Sequence, residues 1–177
     1  MTFDTSHLLK PIGPWILGFS SESLDPTSIE DSLATSGITI RVLRGAQMRT
    51  REGLLNEFAS QLAFPGYFGH NWDALADSLT DLSWLPGLAY AVMIEQARYL
   101  LDSARENELK IFLKLIERVA SEWARPVRLG ENWDRPAVPF HLLLQESPKY
   151  LPRVRERLHD FGVELPSFEL GQPQISC

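Results

Sequence analysis

Short apolar segments typical of buried β-strands alternate along this chain with segments that have helical periodicity. The strand-like segments are residues 14–19, 38–43, 89–94 and 139–144, and each is a nearly continuous apolar run. Such runs are typical of parallel strands in a sheet that helices cover on both faces. Helices between strands also favour right-handed crossover connections. The sequence therefore predicts an α/β fold with a small, mostly parallel β-sheet flanked by helices.

Helix start and stop signals divide the rest of the chain into six predicted helices. Thr27 and Glu30 have the spacing of a capping box, and Thr50 is positioned to cap the next helix. Residues 64–69 predict a tight loop, because their proline and glycines disfavour regular structure. The predicted order is β-α-β-α-α-β-α-α-β-α. The helices cover residues 28–34, 51–62, 71–82, 96–104, 106–124 and 148–161.

Composition and charge narrow the classes of function. The 177 residues carry 23 acidic and 17 basic side chains, a net charge of −6, which argues against a protein that binds nucleic acid directly. Cys177 is the single cysteine, so an intrachain disulfide and multi-cysteine zinc sites are excluded. No apolar run approaches the roughly 20 residues of a membrane span. The first residues lack the pattern of a secretion signal, so we expect a soluble, cytoplasmic protein without membrane contact.

The predicted helix over residues 71–82 has two stripes of different character. A core stripe at helical spacing consists of Trp72, Leu75, Leu79 and Leu82. A second stripe, predicted to be exposed, consists of Asp73, Ala76, Asp77 and Thr80. Carboxylates one turn apart destabilise a helix by roughly 0.2–0.5 kcal/mol, and the helix dipole compensates only the one in the first turn. The acidic pair is therefore a candidate functional feature.

The surroundings of this helix strengthen that interpretation. Tyr67 and Phe68, in the tight loop, are followed closely by His70 and Trp72. Aromatic anchors beside acidic side chains favour a surface that binds a cationic protein. Residues 52–97 contain no Lys or Arg, but they contain six acids: Glu52, Glu57, Asp73, Asp77, Asp81 and Glu95.

The residues alone leave other interpretations open. Asp73 is also explained as a residue that compensates the helix dipole and Asp77 as a solvated one, with Tyr67 and Phe68 at the edge of the core. The two carboxylates suit the general acid and base of a hydrolase, and together with His70 they suit a metal site. No complementary ligands or catalytic groups have matching spacing, and the chain has no P-loop. We therefore predict no catalytic residue, no metal and no cofactor, and a protein that is not an enzyme.

Residues 64–82 closely resemble the signature of the barstar family, the intracellular protein inhibitors of barnase-type ribonucleases. The resemblance continues in the order of strands and helices over residues 38–145. It implies a barstar-like α/β fold with a small parallel sheet. The shared loop–helix pattern consists of Pro65, the aromatic pair Tyr67 and Phe68, Gly69, Asn71, Asp73, Ala74, Leu75 and Asp77.

The resemblance also implies a function and a set of contact residues. In the family, the helix and its preceding loop occlude the ribonuclease active site, where acidic side chains take the places of RNA phosphates. By position, Asp77 is the central phosphate mimic, Asp73 its partner and Tyr67 an aromatic anchor. The implied partner is a cationic ribonuclease, extracellular-type or a toxin, for which this chain is the immunity protein of a toxin–antitoxin pair. The predicted contact residues are Tyr67, Phe68, Gly69, Asn71, Trp72, Asp73, Ala76, Asp77, Thr80 and Glu117.

Three departures from the family pattern bear on the target. Ala76 stands where the family's contact helix has a tryptophan. Trp72 is larger than the usual apolar residue before the first aspartate, and it either packs inward or reaches the partner. The glutamate that the family uses on the later helix corresponds to Glu117 or, in another register, to Arg118. These departures leave open a non-inhibitory interaction module that binds a different cationic protein.

Two segments lie outside the resemblance. Residues 1–37 predict an added strand–helix unit that packs on the same domain. Residues 38–145 are predicted to form a barstar-like domain. Residues 146–177 predict a C-terminal helix followed by a loose tail.

Overall fold

The computed structural model describes residues 2–22, 25–130 and 134–170. Its strands form one parallel sheet in the order β1-β6-β2-β5-β4-β3. This arrangement confirms the predicted α/β fold with a parallel sheet flanked by helices. The strands are β1 (Thr2–Phe3), β2 (Ile16–Ser20), β3 (Thr39–Arg44), β4 (Tyr90–Glu95), β5 (Phe140–Glu146) and β6 (Ser167–Phe168).

Helices cover both faces of this sheet. The larger apolar core lies under α3, α4, α5 and α6, and a smaller one lies under α1 and α2 on the opposite face. Two short 3-10 helices span Gly45–Gln47 and Ala97–Tyr99. The α-helices are α1 (Thr5–Leu8), α2 (Pro26–Thr35), α3 (Arg51–Gln61), α4 (Trp72–Asp81), α5 (Glu106–Trp123) and α6 (Leu151–His159).

The N-terminal segment contributes a central strand. β2 pairs in parallel with β5, from Ile16 opposite Leu142 to Ser20 opposite Glu146, and β6 pairs with its other edge. β6 comes from the segment predicted as a loose tail, which therefore begins inside the sheet. The end of that predicted tail, residues 171–177 with Cys177, lies outside the described residues.

The predicted helix over residues 96–104 is wrong. The chain there forms one short 3-10 helix and turns, and both Gln96 and Leu101 have φ of 53°. Two backbone amides that a helix would use internally bond elsewhere: Leu101 N–H donates to Met48 O and Ser103 N–H to Arg49 O. These tertiary bonds replace a helix of marginal length.

Capping determines where two helices begin. The Thr50 side chain accepts from the backbone N–H of Gly53 at 3.1 Å, which confirms Thr50 as the N-cap of α3. For α2 the predicted cap is wrong, because Asp25 is the N-cap and accepts from the N–H of Thr27 at 3.2 Å. Pro26 follows Asp25 at the first helical position, which proline favours.

In the described residues, no helix combines the length and the apolar character that crossing a membrane requires.

His141 is a buried titratable group in the centre of the sheet. Its apolar strand predicts a hydrogen-bonded core histidine, but only Nε2 has a partner within the described residues, Ile12 O at 3.4 Å. The His7 ring lies 5.1 Å away, centroid to centroid. Burial, with a smaller effect of charge on His7, lowers the pKa of His141 to about 4. The folded protein therefore holds this imidazole neutral at neutral pH.

We expect this histidine to make the fold acid-sensitive. The unfolded chain takes up this proton near pH 6.5 and the folded chain only near pH 4, so acidification favours unfolding in between. From about pH 7.5 to pH 5, His141 alone removes about 2 kcal/mol of unfolding free energy. Urea unfolding at both pH values measures the loss. His141→Leu should remove most of it. An equal loss in His141→Leu would contradict this account.

Candidate protein-interaction surface

An aromatic cluster fixes the loop between α3 and α4. The ring of Phe64 packs edge to face against Phe68 at 4.9 Å and against Trp84 at 5.9 Å. The N–H of Phe68 donates to Pro65 O at 2.9 Å and closes a turn. These contacts bury Phe68, which is 8% exposed, while its neighbour Tyr67 is 82% exposed. Of the predicted aromatic pair, only Tyr67 presents its ring to solvent.

The end of this loop packs against the first turn of α4. Asn71 is the N-cap: its Oδ1 accepts from Ala74 N–H at 2.8 Å, and its Nδ2 donates to Gly69 O at 3.2 Å. A Cβ atom on Gly69 would lie 3.3 Å from the Ala74 Cβ, so the loop backbone contacts the helix closely. The Asn71 side chain is therefore committed to this cap, and the loop is held in a defined position beside α4.

The exposed face of α4 is acidic. Asp73, Asp77 and Asp81 are exposed, and within the described residues none of them forms an ion pair. Ala76, predicted on the same exposed stripe, is instead 3% exposed and belongs to the core. Thr80 is half-buried, and its hydroxyl donates to Ala76 O at 3.0 Å. The side chains that α4 offers to a partner are therefore the three aspartates.

Trp72 packs inward, which settles the alternative left open above. Its Nε1 donates to Glu108 Oε2 at 2.8 Å, and its ring lies 6.2 Å from Phe112. Glu108 also lies 3.8 Å from Arg51. The indole thus links α4 to α5.

A shallow groove of about 300 Å³ runs between α4 and α5. It contains Arg118 and not Glu117, which is exposed elsewhere on α5. The face of α5 beside α4 is therefore cationic, and the family's glutamate has no acidic counterpart in the groove. Ile111 is 42% exposed and lies outside the inward stripe of α5. An apolar residue outside that stripe is the sequence signal that could have indicated this groove. The groove is lined by Trp72, Asp73, Ile111, Lys114, Leu115 and Arg118.

Two of the six acids between residues 52 and 97 are at least partly buried. Glu57 is 4% exposed, and its carboxylate accepts from the Arg44 guanidinium at 2.9 Å through both oxygens. Burial acts to raise the pKa of Glu57, but the hydrogen bonds from Arg44 outweigh it and lower that pKa. Burial raises the pKa of the half-buried Glu95. Glu57 therefore has a cationic partner, Arg44, that lies outside this window of the sequence.

Comparison with protein families identifies residues 38–145. The family model described as barstar (barnase inhibitor) matches this range, which is more than half of the chain. The chain belongs to the barstar family. The suspected resemblance is thereby confirmed for the region that contains the loop, α4 and α5.

Solved structures similar to this barstar-family chain include ORC proteins. The ORC2 protein of Aeropyrum pernix, solved as ADPNP–ADP complexes, is 15% identical, with a TM-score of 0.55 over 94% of this chain and 44% of that one. Drosophila ORC bound to AT-rich DNA and Cdc6 is also 15% identical, with a TM-score of 0.47 over 94% of this chain and 50% of that one. The chain thus spans half or less of these proteins. At this identity the first match shows a shared fold alone.

These findings overturn the prediction that the chain inhibits a barnase-type ribonuclease. The Aeropyrum pernix ORC2 protein matches nearly the whole chain, and neither this match nor the family match shows ribonuclease inhibition. The geometry shows why the motif misleads. Phe68 and Ala76 are buried, Trp72 is bonded to Glu108, and the neighbouring helix presents Arg118. The contact roles of Gly69, Asn71 and the other predicted residues stay predictions.

Within the described residues, no group of three or more His, Cys, Asp or Glu side chains could hold a metal ion. The alternative metal site built on His70, Asp73 and Asp77 therefore finds no support in the geometry. The same two aspartates are exposed on the helix face. The surface that remains consists of Tyr67, Asp73, Asp77 and Asp81, and it is called the acidic surface below.

Proposed function

We propose that this barstar-family chain is a protein-interaction module whose acidic surface binds a cationic partner protein. One observation carries the proposal: Tyr67 is 82% exposed at the tip of a loop whose neighbouring aromatic rings are packed inward. A tyrosine on a rigid support provides a large contact area at low entropic cost, and such anchors dominate protein interfaces. A large exposed ring, together with three carboxylates that form no ion pair within the described part of the chain, suits a partner with Arg or Lys side chains.

The spacing of two acidic side chains on α4 is slightly unfavourable for the helix alone but favourable for binding a cationic partner. Asp73 and Asp77 lie one turn apart on α4, and like charges at that spacing cost the helix a few tenths of a kcal/mol. A cationic partner removes this repulsion and gains charge-assisted hydrogen bonds. The negative surface also steers a cationic partner during diffusional encounter.

The adjoining groove limits the geometry of the partner. Lys114 and Arg118 line the groove beside Asp73, so they repel a cationic group at that edge. Ile111 and Leu115 offer apolar area there instead. The partner's basic side chains therefore contact Asp77 and the Tyr67 side of the surface, and an apolar side chain faces the groove.

The chain acts in this proposal by binding alone, without catalysing a reaction, and in the cytoplasm. Asp73 and Asp77 are exposed on one helix face, whereas catalytic sites are enclosed clefts. The proposed cytoplasmic location is tested by fractionation of the source cells with an antibody against the chain.

Paired affinity capture tests the proposed function. Wild type and Asp73→Asn/Asp77→Asn are immobilised, and bound proteins from the source cells are crosslinked and quantified. The control, Asp31→Asn/Glu156→Gln, removes the same charge from exposed sites on α2 and α6. We expect a basic protein to be recovered about tenfold less with the Asp73/Asp77 variant than with wild type or control. Equal recovery with all three baits would contradict the proposal.

A further inference from the structure

A second surface of the molecule has the position of a small-molecule site. The carboxyl ends of β2, β4 and β5 frame a cavity of about 350 Å³, at the small end of the range for ligand pockets. None of its lining residues belongs to the acidic surface or to α4. An inference about this cavity is therefore independent of the proposed function.

The connections of the sheet explain why a crevice opens here. β2 and β5 are neighbours, yet α2, which follows β2, and α6, which follows β5, pack on opposite faces of the sheet. The chain thus leaves these two strands in opposite directions and uncovers the space above their carboxyl ends. In open α/β sheets, ligands bind at such a topological switch point.

Two buried polar side chains form the wall of the cavity at the ends of the strands. Gln145 is 5% exposed and Glu146 is 1% exposed. The Gln145 amide accepts from Gln96 N–H at 3.1 Å and donates to Ser21 O at 2.9 Å. Glu146 accepts from the N–H groups of Arg98, at 3.0 Å, and of Ser147. These bonds tie together the three loops that surround the cavity.

These side chains keep unused hydrogen-bonding capacity. A carboxylate oxygen or an amide oxygen has two lone pairs. Within the described residues, Gln145 Oε1 accepts one bond and Glu146 Oε2 accepts one bond. Each of these two oxygens therefore retains one lone pair that can accept a hydrogen bond from a ligand in the cavity.

The charge of the cavity selects a cation. Arg98 is neutralised by Glu146, and its guanidinium lies over the rings of Tyr99 at 4.4 Å and Tyr150 at 4.8 Å. Glu22 and Glu95 also line the cavity, and neither forms a direct ion pair among the described residues, although the charge of Arg44 acts on Glu95 from outside the lining. The resulting negative potential excludes phosphates and other anions.

We propose that this switch-point cavity binds a small organic cation that carries N–H donors, a primary amine or a guanidinium compound. Glu95 supplies the counter-charge, and the free acceptor positions of Gln145 and Glu146 receive the N–H groups. Burial raises the pKa of Glu95, and a bound cation relieves that cost.

Titration with agmatine and putrescine, followed by amide NMR and calorimetry, tests the proposal. We expect saturable shifts of the Gln96, Arg98 and Ser147 amides. Glu95→Gln keeps the shape of the side chain and should weaken binding about tenfold, because a charge-assisted hydrogen bond is lost. Asp31→Asn, an exposed acid on α2, should leave the affinity unchanged. Thermal unfolding confirms that both variants are folded.

Two outcomes would overturn the proposal. One is the absence of saturable shifts with either amine up to about 10 mM, where a Kd near 1 mM would be evident. The other is amine binding that Glu95→Gln does not weaken. Such binding would be explained by attraction of the amine to the overall negative charge of the chain. Asp77→Asn should not change amine binding, so the failure of this proposal is distinguishable from failure of the proposed function.

Discussion

Replacing Glu146 with alanine should lower the free energy of unfolding by about 3–5 kcal/mol. The carboxylate is 1% exposed and accepts from the backbone N–H groups of Arg98 and Ser147 as well as from the Arg98 guanidinium. Its removal leaves two backbone donors without partners and a partly buried cation without a counter-charge. Breaking one side of a buried pair is costly for that reason. Urea unfolding at neutral pH measures the loss.

An exposed ion pair provides the matched control. Arg49 donates two hydrogen bonds to Asp102, at 2.9 and 2.8 Å, but the arginine side chain is 51% exposed. Asp102→Ala should therefore cost less than about 1 kcal/mol. Glu146→Gln keeps the shape of the side chain without its charge and should fall between the two, so the test survives if Glu146→Ala fails to fold. Equal losses for Glu146→Ala and Asp102→Ala would contradict the role assigned to Glu146.

Replacing Phe112 with alanine should also lower the free energy of unfolding by about 3–5 kcal/mol. The ring is fully buried on α5, 5.8 Å from the Phe58 ring of α3 and 6.2 Å from the Trp72 ring of α4. The substitution removes apolar contacts and leaves a cavity where three helices meet. Urea unfolding gives the size of the effect.

The neighbouring residue on the same helix is the control. Ile111 is 42% exposed, and Ile111→Ala should change the unfolding free energy by less than about 1 kcal/mol, because alanine favours the helix and little area is lost. A loss in Phe112→Ala no larger than that in Ile111→Ala would show that this junction does not hold the helices together.

The central part of the fold is predictable because its strands are buried on both faces. β4 is apolar up to its last residue, β5 contains three consecutive leucines, and α5 has a clear inward stripe, so each element carries its own signal. β1 and β6 have two residues each, and such short strands have no periodicity. These two short strands form because β6 pairs with both β1 and β2, and such pairing between distant segments leaves no local pattern in the sequence.

The misplaced helix over residues 96–104 has a similar cause. Its local sequence is compatible with a helix, but Arg157 from α6 donates to Leu100 O at 2.7 Å and to Leu101 O at 3.0 Å. Distant parts of the chain thus bind these two carbonyl groups. They also bind the backbone N–H groups of Leu101 and Ser103, which donate to Met48 O and Arg49 O. Tertiary hydrogen bonds overrode a weak local preference.

The sequence predicted the charged residues of the candidate surface, but not which of the other side chains are exposed to solvent. Asp73 and Asp77 follow from helical spacing and lie where expected. Ala76 and Phe68 are buried by packing around α4 and its loop, which periodicity along one helix does not contain. The ion pair of Glu57 was not predictable from the acidic window, because its partner, Arg44, stands before that window and meets Glu57 only through the packing of α3 on β3.

The most direct test of the central claim is the rate of association between this chain and the basic protein recovered with it, measured over a range of ionic strength. For the wild type, the account predicts an association rate constant that falls steeply as salt rises. Asp73→Asn/Asp77→Asn should lower both the rate and its dependence on salt, whereas Asp31→Asn/Glu156→Gln should match the wild type. Identical rates and salt dependence for all three proteins would contradict the claim that the acidic surface binds a cationic partner.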